Sequence, residues 1–311
     1  MVINIVWIIA GIVLVLWGAD RLTEGSVALA EKLNISQLVI GLTVVAFGTS
    51  MPEFCVSLVS ALKGTPDLAV GNIVGSNIFN ALLIVGVAAL VSPLHLLKTT
   101  VKKDLPFAVL ASVLLVVLCY FGSDISRIDA AIMLAFFFVF MFITIKKSKN
   151  DQEEDESKKK NWPVWKGIMW VLIGLVCLIF GSTIFVDGST VIAKLLGVSD
   201  AVIGLTIVAG GTSLPELATS VVAARKGNSD IAIGNVLGSN VFNILFILGV
   251  TGLICPMTIS GITYFDMSVL VSSVMLLWLF SFTKYTIVRW EGAVLVLSYL
   301  GYVGWLVVNT A

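Results

Sequence analysis

The sequence predicts an all-α, polytopic membrane protein of ten transmembrane helices, built as two inverted five-helix repeats. Of its 311 residues, 58% are hydrophobic and only 12% are charged, and the mean hydropathy is +1.05. A soluble core cannot enclose so large a share of apolar side chains. An internal duplication and a single charged stretch between its two halves complete the argument for this fold.

Ten apolar runs follow one another along the chain, five on each side of the charged stretch. Runs of about 17–25 apolar residues are long enough to cross a bilayer. The first run lacks the basic leading region of a secretory signal, so we expect it to remain as a membrane span. The predicted spans are Ile3–Leu22, Leu38–Leu62, Leu68–Val91, Leu105–Phe121, Ile128–Ile145, Val164–Val186, Ala201–Ala224, Ile231–Ile254, Met267–Phe282 and Gly292–Val308.

The charged stretch between spans five and six divides the chain into domains. Residues 146–163 contain the run KKSKNDQEEDESKKKN, which mixes both signs of charge and has no apolar face. Such a composition is typical of a solvated linker. We therefore predict a first transmembrane repeat over residues 1–145 and a second over residues 164–311.

The two halves contain copies of the same segment. Val39–Asn80 aligns without a gap with Val202–Asn243, at an offset of 163 residues, and 26 of the 42 positions are identical. Such self-similarity indicates an internal duplication. Because five spans precede the second repeat, it enters the membrane in the opposite orientation. In transporters with inverted repeats, ions bind near the midplane, where broken helices face each other.

Each copy places a glutamate directly after a proline in the middle of an apolar run, at Glu53 and Glu216. A charge at this depth costs about 2.5–3.5 kcal/mol on insertion scales and therefore indicates a functional site. Proline has no amide hydrogen, so the carbonyl four residues earlier loses its helical partner. Freed carbonyls are tolerated in a membrane only when they face protein or a polar cavity. The residues predicted to break the two helices are Gly48, Pro52, Gly211 and Pro215.

The next span of each half carries a second repeated motif, GN-x-x-GSN-x-x-N. Its serine and last asparagine are four residues apart and therefore share one helical face. Its two glycines are also four residues apart, a spacing that allows close helix packing. The polar pairs are Ser76 with Asn80 and Ser239 with Asn243, and the predicted packing glycines are Gly71, Gly75, Gly234 and Gly238.

Together the two motifs offer carboxylates, hydroxyls, amides and carbonyls, without thiolate or imidazole. His95 is the only histidine, which excludes a histidine-based zinc enzyme. All-oxygen sites suit hard cations, and Ca²⁺ prefers six to eight oxygen ligands. Two carboxylates neutralise either one divalent ion or two monovalent ions. A site of this charge can exchange one load for the other, which is the logic of antiport.

On these two motifs the chain resembles the cation/calcium antiporter superfamily, specifically the sodium/calcium exchanger family and its bacterial members. The resemblance extends over essentially the whole chain. It implies a Ca²⁺ site formed by Glu53, Glu216 and the carbonyls of Thr49 and Thr212. It also implies Na⁺ sites that share these carboxylates. The further ligands it implies are Ser50, Ser213, Ser76, Ser239, Asn80, Asn243 and the carbonyls of Ala46 and Ala209.

Alternatives to sodium-coupled exchange remain open. Potassium-dependent relatives and some prokaryotic members carry aspartate at the position of Asn243, and proton-coupled relatives carry glutamate at the positions of Gly75 and Gly238, so both couplings are less favoured. A cation channel is a further alternative. An intramembrane hydrolase would need a nucleophile or a metal-ligand spacing that the sequence lacks, so we expect a transporter and not an enzyme. Ca²⁺ and Na⁺ are then transported substrates, and no resident cofactor is expected.

The basic residues predict the orientation in the cell (inner) membrane. Cytoplasmic loops carry an excess of lysine and arginine, and this rule places both termini outside and the central linker in the cytoplasm. The expected surroundings are the lipid bilayer, with no nucleic-acid partner, and a monomer suffices for the predicted site. The basic residues assigned to the cytoplasmic side are Lys32, Lys98, Lys102, Lys103, the linker lysines, Lys166, Arg225, Lys226, Lys284 and Arg289; the other side receives Lys63, Arg127 and Lys194.

Overall fold

A computed structural model describes residues 2–122, 124–147, 162–196, 209–259 and 261–310. The described residues form an assembly of helices whose connections include four two-residue strands. The helices are α1 Val2–Leu33, α2 Gln37–Thr49, α3 Met51–Leu62, α4 Pro66–Val91, α5 Leu105–Gly122, α6 Arg127–Lys147, α7 Val164–Leu195, α8 Ala209–Thr212, α9 Leu214–Arg225, α10 Ser229–Ile254, α11 Tyr264–Ser281 and α12 Arg289–Thr310.

Within the described ranges, eight helices are long and apolar enough to cross a membrane. The pair α2 and α3 is bent by 46° at its break and raises the number to nine if it forms one broken span. The predicted seventh span, Ala201–Ala224, is described only from residue 209 onwards, as α8 and α9. The chain is therefore a helical, multi-pass membrane protein, and the count of ten remains a prediction. The linker between residues 148 and 161 also lies outside the described residues.

Two helices are longer than the sequence predicted. The predicted ends at Leu22 and Val186 are wrong, because α1 and α7 each run for 32 residues, to Leu33 and Leu195. At 1.5 Å per residue each helix is about 48 Å long, well above the roughly 30 Å of a hydrocarbon core, so we expect both helices to be strongly tilted.

Glycines form the contact between α1 and α7. A Cβ atom added to Gly11, Gly18 or Gly25 would lie 2.7–2.8 Å from a carbonyl oxygen of Gly181, Gly174 or Gly167, respectively. Only glycine permits backbones to approach this closely. Because the partner number falls as the α1 number rises, the two helices are antiparallel. Helix α1 is the first described helix of the chain, and α7 is the first described helix after residues 148–161.

An ionic cluster accounts for the extra length of α1. Arg21 pairs with Asp20 and, at 3.0 Å, with Glu24. Lys226, just beyond α9, pairs with Asp20 and lies 3.5 Å from Glu24. The Arg21 guanidinium also lies 5.1 Å from the centre of the Trp170 ring on α7. Because these charges compensate each other, they do not end the helix.

Two short antiparallel ladders join the halves. Strand β1, Leu94–His95, pairs with β4, Thr286–Ile287, and strand β2, Asp124–Ile125, pairs with β3, Met257–Thr258. Strand β3 begins 163 residues after β1, and β4 begins 162 residues after β2, so the two ladders occupy equivalent places in the two halves. Each ladder contains one strand from each half. The all-α prediction did not include these strands.

Candidate ion-binding site

Both proline motifs lie where one helix ends and another begins. Helix α2 ends at Thr49 and α3 begins at Met51, so Ser50 lies between them with φ −83° and ψ 7°. Ser213 separates α8 from α9 with nearly the same angles, φ −90° and ψ 8°. Pro52 and Pro215 occupy the first turn of the new helix, where a missing amide hydrogen costs little.

The breaks place two buried carboxylates at the start of helices. Glu53 and Glu216 lie in the first turns of α3 and α9, and both are 0% exposed. The amide groups of a helix N-terminus favour negative charge at this position. Two carboxylates buried close to each other would repel each other. A cation between them would remove this repulsion.

Each glutamate is held by a serine from the other half. The Ser213 hydroxyl donates to Glu53 Oε1 at 2.8 Å, and the Ser50 hydroxyl donates to Glu216 Oε1 at 3.0 Å. The two bonds are repeat-related. The structure therefore brings four of the predicted site residues together. The serine that bonds to each glutamate side chain comes from the opposite half of the chain.

Two asparagines that the sequence analysis did not assign to the site brace the broken helices. The Asn72 amide donates to the Glu53 carbonyl at 3.3 Å and to Ser57 at 3.0 Å. Asn235 makes the equivalent bonds to the Glu216 carbonyl at 3.2 Å and to Ser220 at 2.9 Å. Asn235 Oδ1 also accepts a 3.0 Å bond from Thr49. The repetition of Asn72 at position 235 was the signal in the sequence.

Four further asparagines link α4 to α10. The Asn77 amide donates to the Asn240 backbone carbonyl at 3.2 Å, and the Asn240 amide donates to the Asn77 carbonyl at 3.4 Å. Asn80 Nδ2 donates to Asn240 Oδ1 at 3.1 Å, and Asn243 Nδ2 donates to Asn77 Oδ1 at 2.9 Å. All four side chains are buried.

These asparagines lie where both helices change their hydrogen-bonding pattern. The π-helical turns Phe79–Ile84 and Phe242–Ile247 interrupt α4 and α10 at equivalent positions. Such turns occur frequently at functional sites. Asn80 and Asn243 belong to these turns, whereas Asn77 and Asn240 lie two residues before them.

Several buried oxygen atoms at the predicted site have no hydrogen-bond partner among the described residues. Six of them form three pairs at equivalent positions of the two halves. Each half contributes one carboxylate oxygen, one hydroxyl oxygen and one amide oxygen. Buried polar atoms without partners are rare in native proteins and require an explanation. The atoms are Glu53 Oε2 and Glu216 Oε2, Ser76 Oγ and Ser239 Oγ, and Asn80 Oδ1 and Asn243 Oδ1.

The site is chemically suited to hard cations, and its own charge is small. Among the described residues, no group of three or more histidine, cysteine, aspartate and glutamate side chains could hold a metal ion. Two carboxylates surrounded by neutral oxygens therefore set the charge of the site. Its other predicted members lie on the neighbouring helix ends: Ala46 and Thr49 in α2, and Ala209 and Thr212 in α8.

The predicted packing glycines of the second half lie against another helix, whereas no described atom lies within 4 Å of a Cβ atom added to those of the first half. A Cβ atom at Gly234 would lie 2.7 Å from the Leu38 carbonyl, and one at Gly238 would lie 2.6 Å from the Ala46 side chain. At these two positions the backbone of α10 lies close to α2. The segment expected opposite Gly71 and Gly75 begins in residues 197–208, outside the described ranges, so their packing role remains a prediction.

An apolar groove of about 260 Å³ lies beside the second helix break. It runs between α1 and α9, where Val15 and Leu16 face Leu214 and Leu217. Its lining residues are all apolar, whereas the unpartnered oxygens of the candidate site belong to polar side chains of the repeated motifs. The groove is therefore not the ion-binding site.

Comparison with known proteins identifies the family of this site. The family model described as sodium/calcium exchanger protein matches residues 3–146 and 166–308. The chain belongs to the sodium/calcium exchanger family. The family resemblance drawn from the two repeated motifs is thereby confirmed.

Individual relatives agree with this assignment. The chain is 33% identical over 340 residues to sodium/calcium exchanger MaX1 of Methanosarcina acetivorans, covering 96% of this chain and 97% of the relative. It is 38% identical over 266 residues to inner membrane protein YrbG of Escherichia coli, covering 83% and 82%. A solved structure of the sodium-calcium exchanger NCX_Mj matches with a TM-score of 0.86 and 33% identity, covering 98% of each chain. This exchanger family member is accordingly a membrane-embedded cation/calcium antiporter.

Proposed function

We propose that the protein exchanges Ca²⁺ for Na⁺ across the membrane by alternating access, with ions bound at a site shared by the two repeats. The observation that carries this proposal is the set of three repeat-related pairs of unpartnered buried oxygens at Glu53 and Glu216, Ser76 and Ser239, and Asn80 and Asn243. A cation is the natural partner for oxygens that are buried and receive no hydrogen bond. Carbonyls of Ala46, Thr49, Ala209 and Thr212 and hydroxyls of Ser50 and Ser213 complete the proposed ligands.

The charge of the site explains why an ion must be bound before the protein changes conformation. Two bare carboxylates buried together are unfavourable, because burial removes their hydration and each repels the other. One Ca²⁺ or two Na⁺ ions neutralise the pair. The protein can therefore change conformation while loaded with either ion more easily than while empty, and this difference couples the two fluxes.

Alternating access requires two halves that can exchange roles. The antiparallel packing of α1 on α7, the repeat-related ladders and the reciprocal serine bonds support an inverted arrangement of two five-helix repeats. In such transporters the halves rock or slide around a site at the midplane. We place the protein in the cell (inner) membrane with ten spans, both termini outside and the linker in the cytoplasm.

The neutral side chain of Asn243 favours sodium over potassium as the coupling ion. A segment of this chain is also 36% identical over 145 residues to sodium/potassium/calcium exchanger 2 of Homo sapiens, covering 45% of this chain and 21% of that protein. Potassium coupling is therefore the second candidate, and ion gradients separate the two.

Uptake of Ca²⁺ into proteoliposomes tests the proposal. We expect an outward Na⁺ gradient to drive uptake, whereas K⁺ or pH gradients of the same size should not. Glu53→Gln and Glu216→Gln should each abolish uptake, since one carboxylate cannot neutralise the divalent ion. Asp187→Asn is the matched control, because Asp187 is an exposed acidic residue on α7.

Three results would contradict the proposal. Uptake that survives both glutamine substitutions would remove the carboxylates from the mechanism. Uptake driven by K⁺ or by a pH gradient in the absence of Na⁺ would show that the coupling ion is K⁺ or H⁺ and not Na⁺. Ca²⁺ flux down its own gradient without any counter-ion would indicate a channel.

A further inference from the structure

Asn77 and Asn240 lie in the centre of the molecule, yet the proposed ion ligands do not include them. Both are buried, at 0% and 2% exposure. Each uses its amide nitrogen and its amide oxygen on partners from the other half. Side chains that bond reciprocally at both ends of the amide fix the orientation of their partners.

The direction of these bonds follows from chemistry. A backbone carbonyl can only accept a hydrogen bond, so the Asn77 atom that lies 3.2 Å from the Asn240 carbonyl must be the NH₂ group. Asn77 Oδ1 then faces Asn243, and only the NH₂ group of Asn243 can donate to it, over 2.9 Å. The oxygen of Asn243 is consequently turned away from Asn77.

The same reasoning holds in the other half. Asn240 donates to the Asn77 carbonyl and accepts from the NH₂ group of Asn80 over 3.1 Å. Asn80 Oδ1 and Asn243 Oδ1 are the two amide oxygens that remain buried without a partner among the described residues. The network thus determines which end of each amide remains available.

We propose that Asn77 and Asn240 are positioning residues, which act through Asn243 and Asn80 and make each present its oxygen, rather than its NH₂ group, to the bound cation. This inference rests on the proposed function. An amide whose NH₂ group faced a cation would oppose binding, since the group carries partial positive charge. The two asparagines therefore contribute to ion affinity without touching the ion.

A double-mutant cycle on Ca²⁺ affinity tests this role. The purified protein in lipid nanodiscs is titrated with ⁴⁵Ca²⁺, and the KM and kcat of exchange are measured in proteoliposomes. Asn77→Leu keeps the side-chain size but removes the acceptor for Asn243. We expect it to weaken Ca²⁺ binding and raise KM by about tenfold, with a smaller effect on kcat.

The second arm of the cycle separates positioning from general packing. In an Asn243→Ala background there is no amide to orient, so Asn77→Leu should cause no further loss of affinity. Additive losses would show that Asn77 acts independently of Asn243 and would overturn the inference. The cycle of Asn240→Leu with Asn80→Ala repeats the test at the equivalent pair.

A measurement on the unsubstituted protein covers the case in which these variants do not fold. In protein labelled with ¹³C-asparagine, addition of Ca²⁺ should shift the side-chain carbonyl signals of Asn80 and Asn243 more than those of Asn77 and Asn240. Equal shifts in all four would overturn the inference. Glu53→Gln separates the two proposals. If this variant retains Ca²⁺ binding, the proposed function fails. If it loses Ca²⁺ binding while Asn77→Leu retains full affinity, only the positioning role fails.

Discussion

The hydroxyl of Ser213 donates a 2.8 Å hydrogen bond to the Glu53 carboxylate, although 160 residues separate them in the chain. Ser50 and Glu216 make the equivalent bond in the opposite direction, at 3.0 Å. The bonds occupy one oxygen of each carboxylate and leave the other oxygen without a partner among the described residues. The serines therefore hold the glutamates while one oxygen of each remains free for a ligand.

Removal of either serine hydroxyl should weaken ion binding without abolishing exchange. A hydrogen bond to a charged group contributes about 1.5–3 kcal/mol, so Ser50→Ala or Ser213→Ala should raise the KM for Ca²⁺ by roughly 10-fold to 100-fold. Initial rates of exchange in proteoliposomes measure this. Ser268→Ala is the control, since Ser268 is exposed and its hydroxyl donates to the Phe265 carbonyl of its own helix. Equal KM values in all three variants would contradict the prediction.

Loss of the Asn235 brace should destabilise the protein more than loss of the Asn72 brace. Both asparagines tie a glutamate carbonyl and a serine together, but Asn235 is fully buried and also accepts from Thr49 of the other half. We expect Asn235→Ala to cost about 2–4 kcal/mol, because it leaves several buried groups unpaired. The midpoint of thermal unfolding in detergent gives the order of the two variants. The reverse order would contradict this assignment.

A single methyl group in the glycine contact between α1 and α7 should separate the two helices. The Cβ atom of Gly18→Ala would lie 2.8 Å from the Gly174 carbonyl oxygen, so one backbone must move. We expect a loss of about 1–3 kcal/mol in stability. The same substitution at Gly301 in α12, where no described atom lies within 4 Å of the added methyl group, should be neutral or stabilising by up to about 1 kcal/mol. Equal melting temperatures would argue against close contact in solution.

Within the ionic cluster of α1, Arg21 should be more important than Lys226. Arg21→Gln removes two ion pairs and also the contact with the Trp170 ring, whereas Lys226→Gln removes ion pairs alone. The side chains are 22–30% exposed, so solvent screens the ionic part of both changes. We expect a drop in melting temperature that is clearly larger for Arg21→Gln. A larger drop for Lys226→Gln would assign the stabilisation to the connection between α1 and the end of α9.

Cysteine labelling tests the proposed topology. In a protein without its four native cysteines, Lys63→Cys should react from outside intact cells with a membrane-impermeant maleimide. Lys103→Cys should react only after the membrane is permeabilised. Both side chains are exposed, so failure to react would reflect the membrane and not burial. The opposite labelling pattern would reverse the proposed orientation.

Much of the architecture was predictable because the two copies of the duplicated segment can be aligned with each other in the sequence. The helix breaks at Ser50 and Ser213 follow from proline chemistry, and the burial of Glu53 and Glu216 follows from their apolar surroundings. The length of α1 was not predictable from hydropathy, because Asp20, Arg21 and Glu24 look like the end of a span when considered separately. Lys226 compensates Asp20 and Glu24, and it lies 206 and 202 positions after them in the chain.

The polar network of the site was predicted only in part. Sequence spacing placed Ser76 with Asn80 on one helical face, but it could not show that Asn77 reaches a carbonyl of the other half. Contacts between α4 and α10 depend on how the helices cross, and on π-helical turns that have no simple sequence signature. The strands of the two ladders are each two residues long, too short for a recognisable alternating pattern.

The reciprocal bonds between Ser50 and Glu216 and between Ser213 and Glu53 bear on how such a chain could arise. A half-length ancestor carrying one copy of the motif would have held a glutamate without its serine donor. It could have completed its site only by assembling with a second, oppositely inserted copy of itself. Gene fusion would then have made the dimer permanent and would have allowed each half to diverge at positions such as Phe47, whose counterpart is Gly210.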